Sequence, residues 1–400
     1  MGFGILTMQE LETRINKFID LMNKKNPEWD TAVIISRVNQ YYFMGTIQDG
    51  VLFIKKDGSV YYFARRSYER ALDESPFVNF DIIFPMENYR DAAAVIGADL
   101  CNVYCETEVM TIAIYERLSK HFRFSLKGSL DRIIFTVRAV KSPYELALIE
   151  EAGRRHNDFL INAVPKFLYE GISEAEFAGE LYAEMMRRGH QGLNRFYKFQ
   201  TEMGIGQVAF GESSNYPTSF DGPGGSYGMN AAVPLIGSYD RKLKKGDLVF
   251  VDIGFGINGY HSDKTQVYIF GEEPSKEICD AHSLCMKIQT DIASKLKTGA
   301  IPSEIYRTVM AGLSDKEKDN LNGFGNRKVK FFGHGIGLQV DEYPVIAEGF
   351  DEPLETNMFL ALEPKKGIAG VGMVGVEDTF VVTPEGGRCT TGKCREIIVV

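Results

Sequence analysis

Four acidic residues and one histidine in the last two-fifths of this 400-residue chain restrict how it can fold. Asp252, Asp263, His334, Glu363 and Glu377 each stand in or beside a short apolar or glycine-rich run. Asp252 follows Asp247-Leu-Val-Phe-Val, Glu363 follows Phe359-Leu-Ala-Leu, and Glu377 follows Val374-Gly-Val. A carboxylate at the inner end of an apolar strand is costly unless it is paired or binds a cation. Four of them brought together repel one another and raise each other's pKa. Divalent cations remove that conflict. Oxygen-rich ligands with one imidazole suit Mn²⁺, Fe²⁺ or Co²⁺ better than a thiolate-loving ion, and two ions about 3.5–4 Å apart are a recurrent hydrolytic arrangement. Taken singly, each acid could equally be a solvated turn residue; the set of five argues against that reading.

Period-two geometry shows how the acids can meet. Asp252 and Asp263 flank a connection containing Gly254, Gly256 and Gly259, which predicts neighbouring antiparallel strands. Phe250, Asp252 and Gly254 then share one strand face. Glu363 and Glu377 fall on two more strands separated by the glycine-rich loop Gly367–Gly375. His334 lies between Gly333 and Gly335, where missing side chains allow a close approach.

These stretches resemble a known family. Asp252-Ile-Gly254, Gly259-Tyr-His-Ser-Asp-Lys-Thr265, Gly333-His-Gly-Ile-Gly337, Leu362-Glu-Pro364 and Val376-Glu-Asp-Thr379 look like the metal motifs of the pita-bread metallopeptidases (peptidase family M24). That group includes Xaa-Pro dipeptidases (prolidases), aminopeptidase P, methionine aminopeptidase and creatinase. The ligand order matches, as do the gaps of eleven positions between the two Asp and fourteen between the two Glu. The resemblance runs from Ser142 to the C-terminus and, more loosely, through the N-terminal region. It implies an α/β (α+β) protein: a creatinase/prolidase-like N-terminal domain over 1–138 and a pita-bread domain with pseudo-twofold halves over 139–400. It also implies Asp252, Asp263, His334, Glu363 and Glu377 as ligands of two divalent ions (Mn²⁺, Co²⁺, Fe²⁺ or Zn²⁺, with Mn²⁺ favoured), and a homodimer. The activity implied is cleavage of a small peptide or amide bond by metal-bound hydroxide, with Glu363 also accepting the nucleophile's proton.

Two positions depart from the pattern. Prolidases and aminopeptidase P carry a histidine seventeen residues before the first Asp ligand and another seven after the His ligand. The same counts lead here to Leu235 and Asp341. Leucine cannot titrate, and an aspartate near neutral pH only accepts hydrogen bonds. An ordinary prolidase is therefore not expected. Asp341 is expected to meet the substrate, binding a cationic group or acting as a base, with Glu342 in an outer layer. Two alternatives stay open: a metal-dependent lyase or amidinohydrolase-like enzyme acting on a small carboxylate or onium compound, as creatinase and a dimethylsulfoniopropionate lyase show for the fold, or a non-catalytic binding module.

The N-terminal region opens with a helix, Thr7-Met-Gln-Glu10 serving as capping box and Leu11, Ile15, Phe18, Ile19 and Met22 falling at helical spacing. Strands are expected at 32–36, 41–44, 51–54 and 60–63, the last two joined through Asp57-Gly58, and helices near 67–72, 89–96 and 111–121. Ser142-Pro-Tyr-Glu145 and Ser173-Glu-Ala-Glu176 start helices in the second region. Helices near 276–296 and 303–313 then precede the strands carrying His334, Glu363 and Glu377, so the order helix, helix, ligand-bearing strands occurs twice. Phe196, Tyr197 and Phe199 form an aromatic cluster, and Phe220–Gly228 reads as a glycine-rich substrate-side loop. His261 is expected as an exposed turn residue in preference to a group supporting the Asp263 ligand, and the pairs Lys55-Lys56, Lys244-Lys245 and Lys365-Lys366 as solvated turns.

A net charge of −9 argues against nucleic acid as the main partner. Six cysteines without Cys-x-x-Cys spacing suggest reduced thiols, and no apolar run approaches a membrane span. A small peptide or small-molecule substrate and a cytoplasmic location are the expectations.

Overall fold

The computed structural model describes residues 5–77, 81–198, 201 and 203–400. The chain divides into two compact units, Met1–Arg138 and Ala139–Val400.

The first unit begins with the helix Met8–Lys25, whose Thr7 hydroxyl accepts from the Glu10 amide at 3.2 Å and whose Leu11, Ile15, Phe18 and Met22 are buried. Six strands follow: β1 (Thr31–Ile34), β2 (Gly50–Lys55), β3 (Val60–Ala64), β4 (Ile83–Pro85), β5 (Asp99–Cys105) and β6 (Arg123–Ser129). They form one sheet in the order β4-β3-β2-β1-β5-β6, with β1, β2 and β3 antiparallel and the outer pairings parallel. Val33, Phe53, Phe63 and Val103 lie in its core. One expectation fails here. Residues 41–44 are not a strand but the end of the helix Arg37–Met44, closed by Gly45 in the left-handed region at φ 74°. The buried Gln40, Phe43 and Met44 sit at i, i+3 and i+4, a helical spacing hidden inside an aromatic run that reads as β-prone. The helix Asp131–Ala139 and the strands β4, β5 and β6 were not legible as elements; the three strands make parallel pairings, in which clean alternation is not expected.

In the second unit both capping boxes form. Ser142 and Glu145 start the helix Pro143–Asn162, and Ser173 and Glu176 start Glu174–Arg187. Strands β7 (Gly206–Phe210), β8 (Leu248–Ile257) and β9 (Tyr260–Ile269) follow as an antiparallel group. Asn258 and Gly259, at φ 47° and 92°, make the two-residue β8–β9 turn, the conformation that such a hairpin demands. Two helices, Lys276–Lys295 and Pro302–Ala311, lead to the second group of strands. These are β10 (Gly323–Phe324), β11 (Arg327–Lys328), β12 (Phe331–Gly335), β13 (Glu342–Ala347), β14 (Phe359–Leu362), β15 (Lys365–Ile368), β16 (Gly372–Gly375), β17 (Asp378–Val382), β18 (Gly387–Cys389) and β19 (Ile398–Val399). One sheet runs β13-β12-β14-β17-β18 and another β19-β9-β8-β7, while β15 and β16 pair as a hairpin. A single bridge between Thr265 and Glu377 stitches the two larger sheets together where the acids lie. Among the described residues no helix is long and apolar enough to cross a membrane.

Candidate metal centre

The strand register brings the acids together. Asp263 faces Gly254 across the β8–β9 hairpin, and Asp252 faces Thr265, so the two aspartates are diagonal neighbours on one face. Glu363 stands one residue past β14, and Glu377 one residue before β17, at the end where these strands meet. His334 pairs with Ala361 of β14 on one side and Val345 of β13 on the other. Its flanking glycines are dictated by space: a Cβ on Gly333 would lie 2.2 Å from the Ala361 carbonyl oxygen, and one on Gly335 2.4 Å from that of Tyr343.

Two groups of ligand atoms result, each within 4.8 Å: Asp263, His334 and Glu377, and Asp252, Glu363 and Glu377. His334 Nε2 lies 3.5 Å from Glu363 Oε1 and 3.7 Å from Glu377 Oε1. Thr265 Oγ1 donates to Glu377 Oε2 at 3.0 Å, and Thr379 Oγ1 accepts from the Asp263 amide at 2.8 Å. Above the acids is a small cavity of about 40 Å³ lined by Phe196, Gln207, Phe220, Asp221 and Asp341 among others.

Electrostatics follow from burial and crowding. Burial, then the charges of Glu377 and Asp252, push Asp263 well above the carboxylate range. Asp252 is pushed up to about 8 by burial, although Lys365 pulls it the other way. Burial opposes the charge on Glu377, yet Lys365 and His334 hold its carboxyl below the usual range.

Lys365 is the residue that sequence reasoning missed. Expected as a solvated turn residue, its side chain is 0% exposed and stands in the middle of the second ligand group. Its Nζ donates at 2.8 Å to Asp252 Oδ2, at 2.8 Å to Glu363 Oε2 and at 2.8 Å to Glu377 Oε2. The one available signal was period two: Glu363 and Lys365 share a face across Pro364.

The other expectations divide. Asp341 lines the cavity, and its Oδ1 also accepts from the Tyr197 amide at 2.6 Å. Phe196 lines the cavity and packs edge-on against Phe220 with ring centroids 5.5 Å apart, whereas Phe199 lies outside the described residues. Leu235 is buried, but it is not among the described residues that line the cavity. Glu342 is buried, its Oε1 accepting from the Gln339 amide at 2.9 Å. His261 is not an exposed turn residue. It is fully buried on β9 opposite Gly256, with Nε2 2.9 Å from Gln191 Nε2 and Nδ1 3.1 Å from the Gly337 carbonyl oxygen. Burial pushes its pKa down to about 4, so it is a neutral strut between β9 and the segments that cover it.

The model of metallopeptidase family M24 matches residues 147–384, and that of the creatinase/prolidase N-terminal domain matches residues 14–140. The chain belongs to metallopeptidase family M24. It is a peptidase-type hydrolase of a family that uses divalent metal ions. An uncharacterized peptidase of Staphylococcus aureus strain USA300 is 27% identical over 379 residues, covering 94% of this chain and 97% of that protein. The prolidase of Pyrococcus horikoshii OT3 superposes with a TM-score of 0.77 at 23% identity, over 96% of this chain and 100% of that one. The Xaa-Pro dipeptidase of Bacillus anthracis gives 0.78 at 22% identity, over 98% and 100%. The M24 assignment, together with these folds, gives the second unit its pita-bread architecture and the first its creatinase-like one.

The donor sets of this M24 chain fit a metal unequally. Asp263, His334 and Glu377 offer two carboxylates and one imidazole, a set suited to a divalent ion. In the Asp252, Glu363 and Glu377 set the Lys365 ammonium lies against all three acids. A small divalent ion binds oxygen at about 2.0–2.1 Å, so one bound to the same three oxygens would be crowded by that ammonium.

Proposed function

We propose that this chain is a metal-dependent hydrolase of small peptides or amides, with its divalent ion held by Asp263, His334 and Glu377. The observation that carries the reading is the convergence of those three side chains beneath a cavity whose wall includes Asp341. Manganese is the favoured ion, since oxygen ligands dominate the set. A bound divalent ion supplies Lewis-acid polarisation of the scissile carbonyl and a nucleophile at neutral pH. Glu363, 3.5 Å from His334, would accept the nucleophile's proton. Asp341 fixes the Phe196–Tyr197 segment over the site and presents a carboxylate to a substrate amine. The apolar walls Phe196 and Phe220 exclude water from the reacting bond and limit the substrate's size.

By sequence count Asp341 and Leu235 fall where prolidases have proton-handling histidines, so proline dipeptides should be poor substrates. Losing a general acid or base typically costs ~10²–10⁴-fold in rate. The test is a panel of Gly-Pro, Met-Pro, non-proline dipeptides and small amides, assayed with Mn²⁺ and with chelator. Mn²⁺-dependent hydrolysis of a non-proline member, abolished by Glu377→Gln, is expected. Prolidase-level turnover of Gly-Pro would overturn the substrate inference, and activity indifferent to chelator would overturn the metal-dependent one. Release of an elimination product would move the chain to the lyase alternative.

A further inference from the structure

We propose that Lys365 is a built-in cation that takes the place of one of the two divalent ions implied by the ligand pattern, leaving a single exchangeable ion. The inference rests on the metal-dependent reading for where that single ion sits. An ammonium has three donors. Here each goes to a different carboxylate at 2.8 Å, and those three acids form the second ligand group.

The backbone commits Lys365 to this position. It begins β15 and pairs with Gly375 of β16. A Cβ on Gly375 would lie 2.6 Å from the Lys365 Cα, so that glycine lets the two strands close behind the lysine. Below the ammonium the Phe250 ring lies 5.9 Å away, and the side chain has no exposed surface. Its neighbour Lys366 turns away, reaching the Glu317 carbonyl at 3.1 Å. Lys365 makes no hydrogen bond to Asp263 or His334, so the first ligand group keeps its space.

The consequence is a centre with one permanent positive charge and one removable ion. Lys365 is a positioning residue: it holds Asp252, Glu363 and Glu377 in register whether or not the ion is present. Asp252, expected from the sequence as a ligand, then serves the lysine.

The experiment is metal analysis of the full chain after Mn²⁺ saturation and gel filtration. The wild type should carry one ion, Lys365→Gly two, and Asp252→Asn still one. Two ions in the wild type, or no more ions in a folded Lys365→Gly than in the wild type, overturn the proposal. No ion in the wild type with one gained in Lys365→Gly upholds the lysine's role and overturns the metal-dependent reading; none in either overturns both. Removing the lysine leaves three buried acids facing one another, so Lys365→Gly should melt lower than wild type in chelator and regain more on adding Mn²⁺. If that variant does not fold, Asp252→Asn decides: an ion retained supports the lysine's role, and an ion lost defeats it.

Discussion

Asp341 illustrates how one side chain can hold structure and face substrate together. Its Oδ1 accepts from the Tyr197 amide, and burial raises its pKa from the ordinary aspartate value. An asparagine oxygen can accept the same bond, so Asp341→Asn should fold and keep its metal. It cannot carry charge to a substrate amine. A hydrogen bond to a charged group is worth about 1.5–3 kcal/mol, so kcat/KM on the true substrate should fall roughly 10- to 150-fold. Metal stoichiometry measured beside the kinetics checks this; unchanged kinetics with metal intact would remove Asp341 from the site. The position of Asp341 was legible from its spacing to His334. Its hold on the Phe196–Tyr197 segment was not, because those partners are 144 positions apart.

Between elements, the joint of β9 and β17 is built from a second buried ion pair. Lys264 Nζ lies 2.5 Å from Asp378 Oδ1, both side chains are 0% exposed, and Thr391 Oγ1 donates to the same oxygen at 2.8 Å. Breaking a buried pair from one side leaves an uncompensated charge and costs about 3–5 kcal/mol, whereas replacing both partners with apolar groups is often close to neutral. Lys264→Met should therefore lower unfolding free energy by about that amount in urea titrations, and Lys264→Met/Asp378→Leu should recover most of the loss. Equal losses in the two variants would show that this pair does not set the joint's stability. Both residues belong to the motif stretches read from the sequence, but pairing them required the bridge that brings β9 to Glu377.

Across the whole molecule, buried neutral histidines tie stability to pH. His190 accepts from the Gly256 amide through Nδ1 at 2.9 Å, and burial pushes its pKa down to about 4. His156, fully buried beside Ser262, is likewise held well below its ordinary value by burial. An unfolded chain protonates histidine below about pH 6.5. Between about 6.5 and 4 the unfolded state thus binds more protons than the native state, and stability falls as pH falls. Each such histidine contributes at most about 1.4 kcal/mol per pH unit in that window and nothing above it. His190→Gln retains an acceptor without the charge, so its urea stability should fall less steeply than wild type from pH 7 to 5. Identical slopes would count against His190 as a contributor.

Local chemistry let the sequence by itself determine the capping boxes at Ser142 and Ser173, the β8–β9 hairpin and the acids that it carries, and the five-residue pattern that marks the M24 unit. Such features depend on neighbours a few positions away, where backbone hydrogen bonding and side-chain periodicity act. What the tertiary structure decided was which charges are buried. A lysine read alone belongs in water, because burying an unpaired ammonium is prohibitive. Lys365 is stable inside only because Asp252, 113 positions earlier, and Glu377, 12 positions later, arrive on other strands to surround it. His261 follows the same logic, its burial made possible by Gln191 and Gly337. Desolvation is a property of the assembled fold, so the permanent cation at the heart of the acidic centre became visible only when the sheets were brought together.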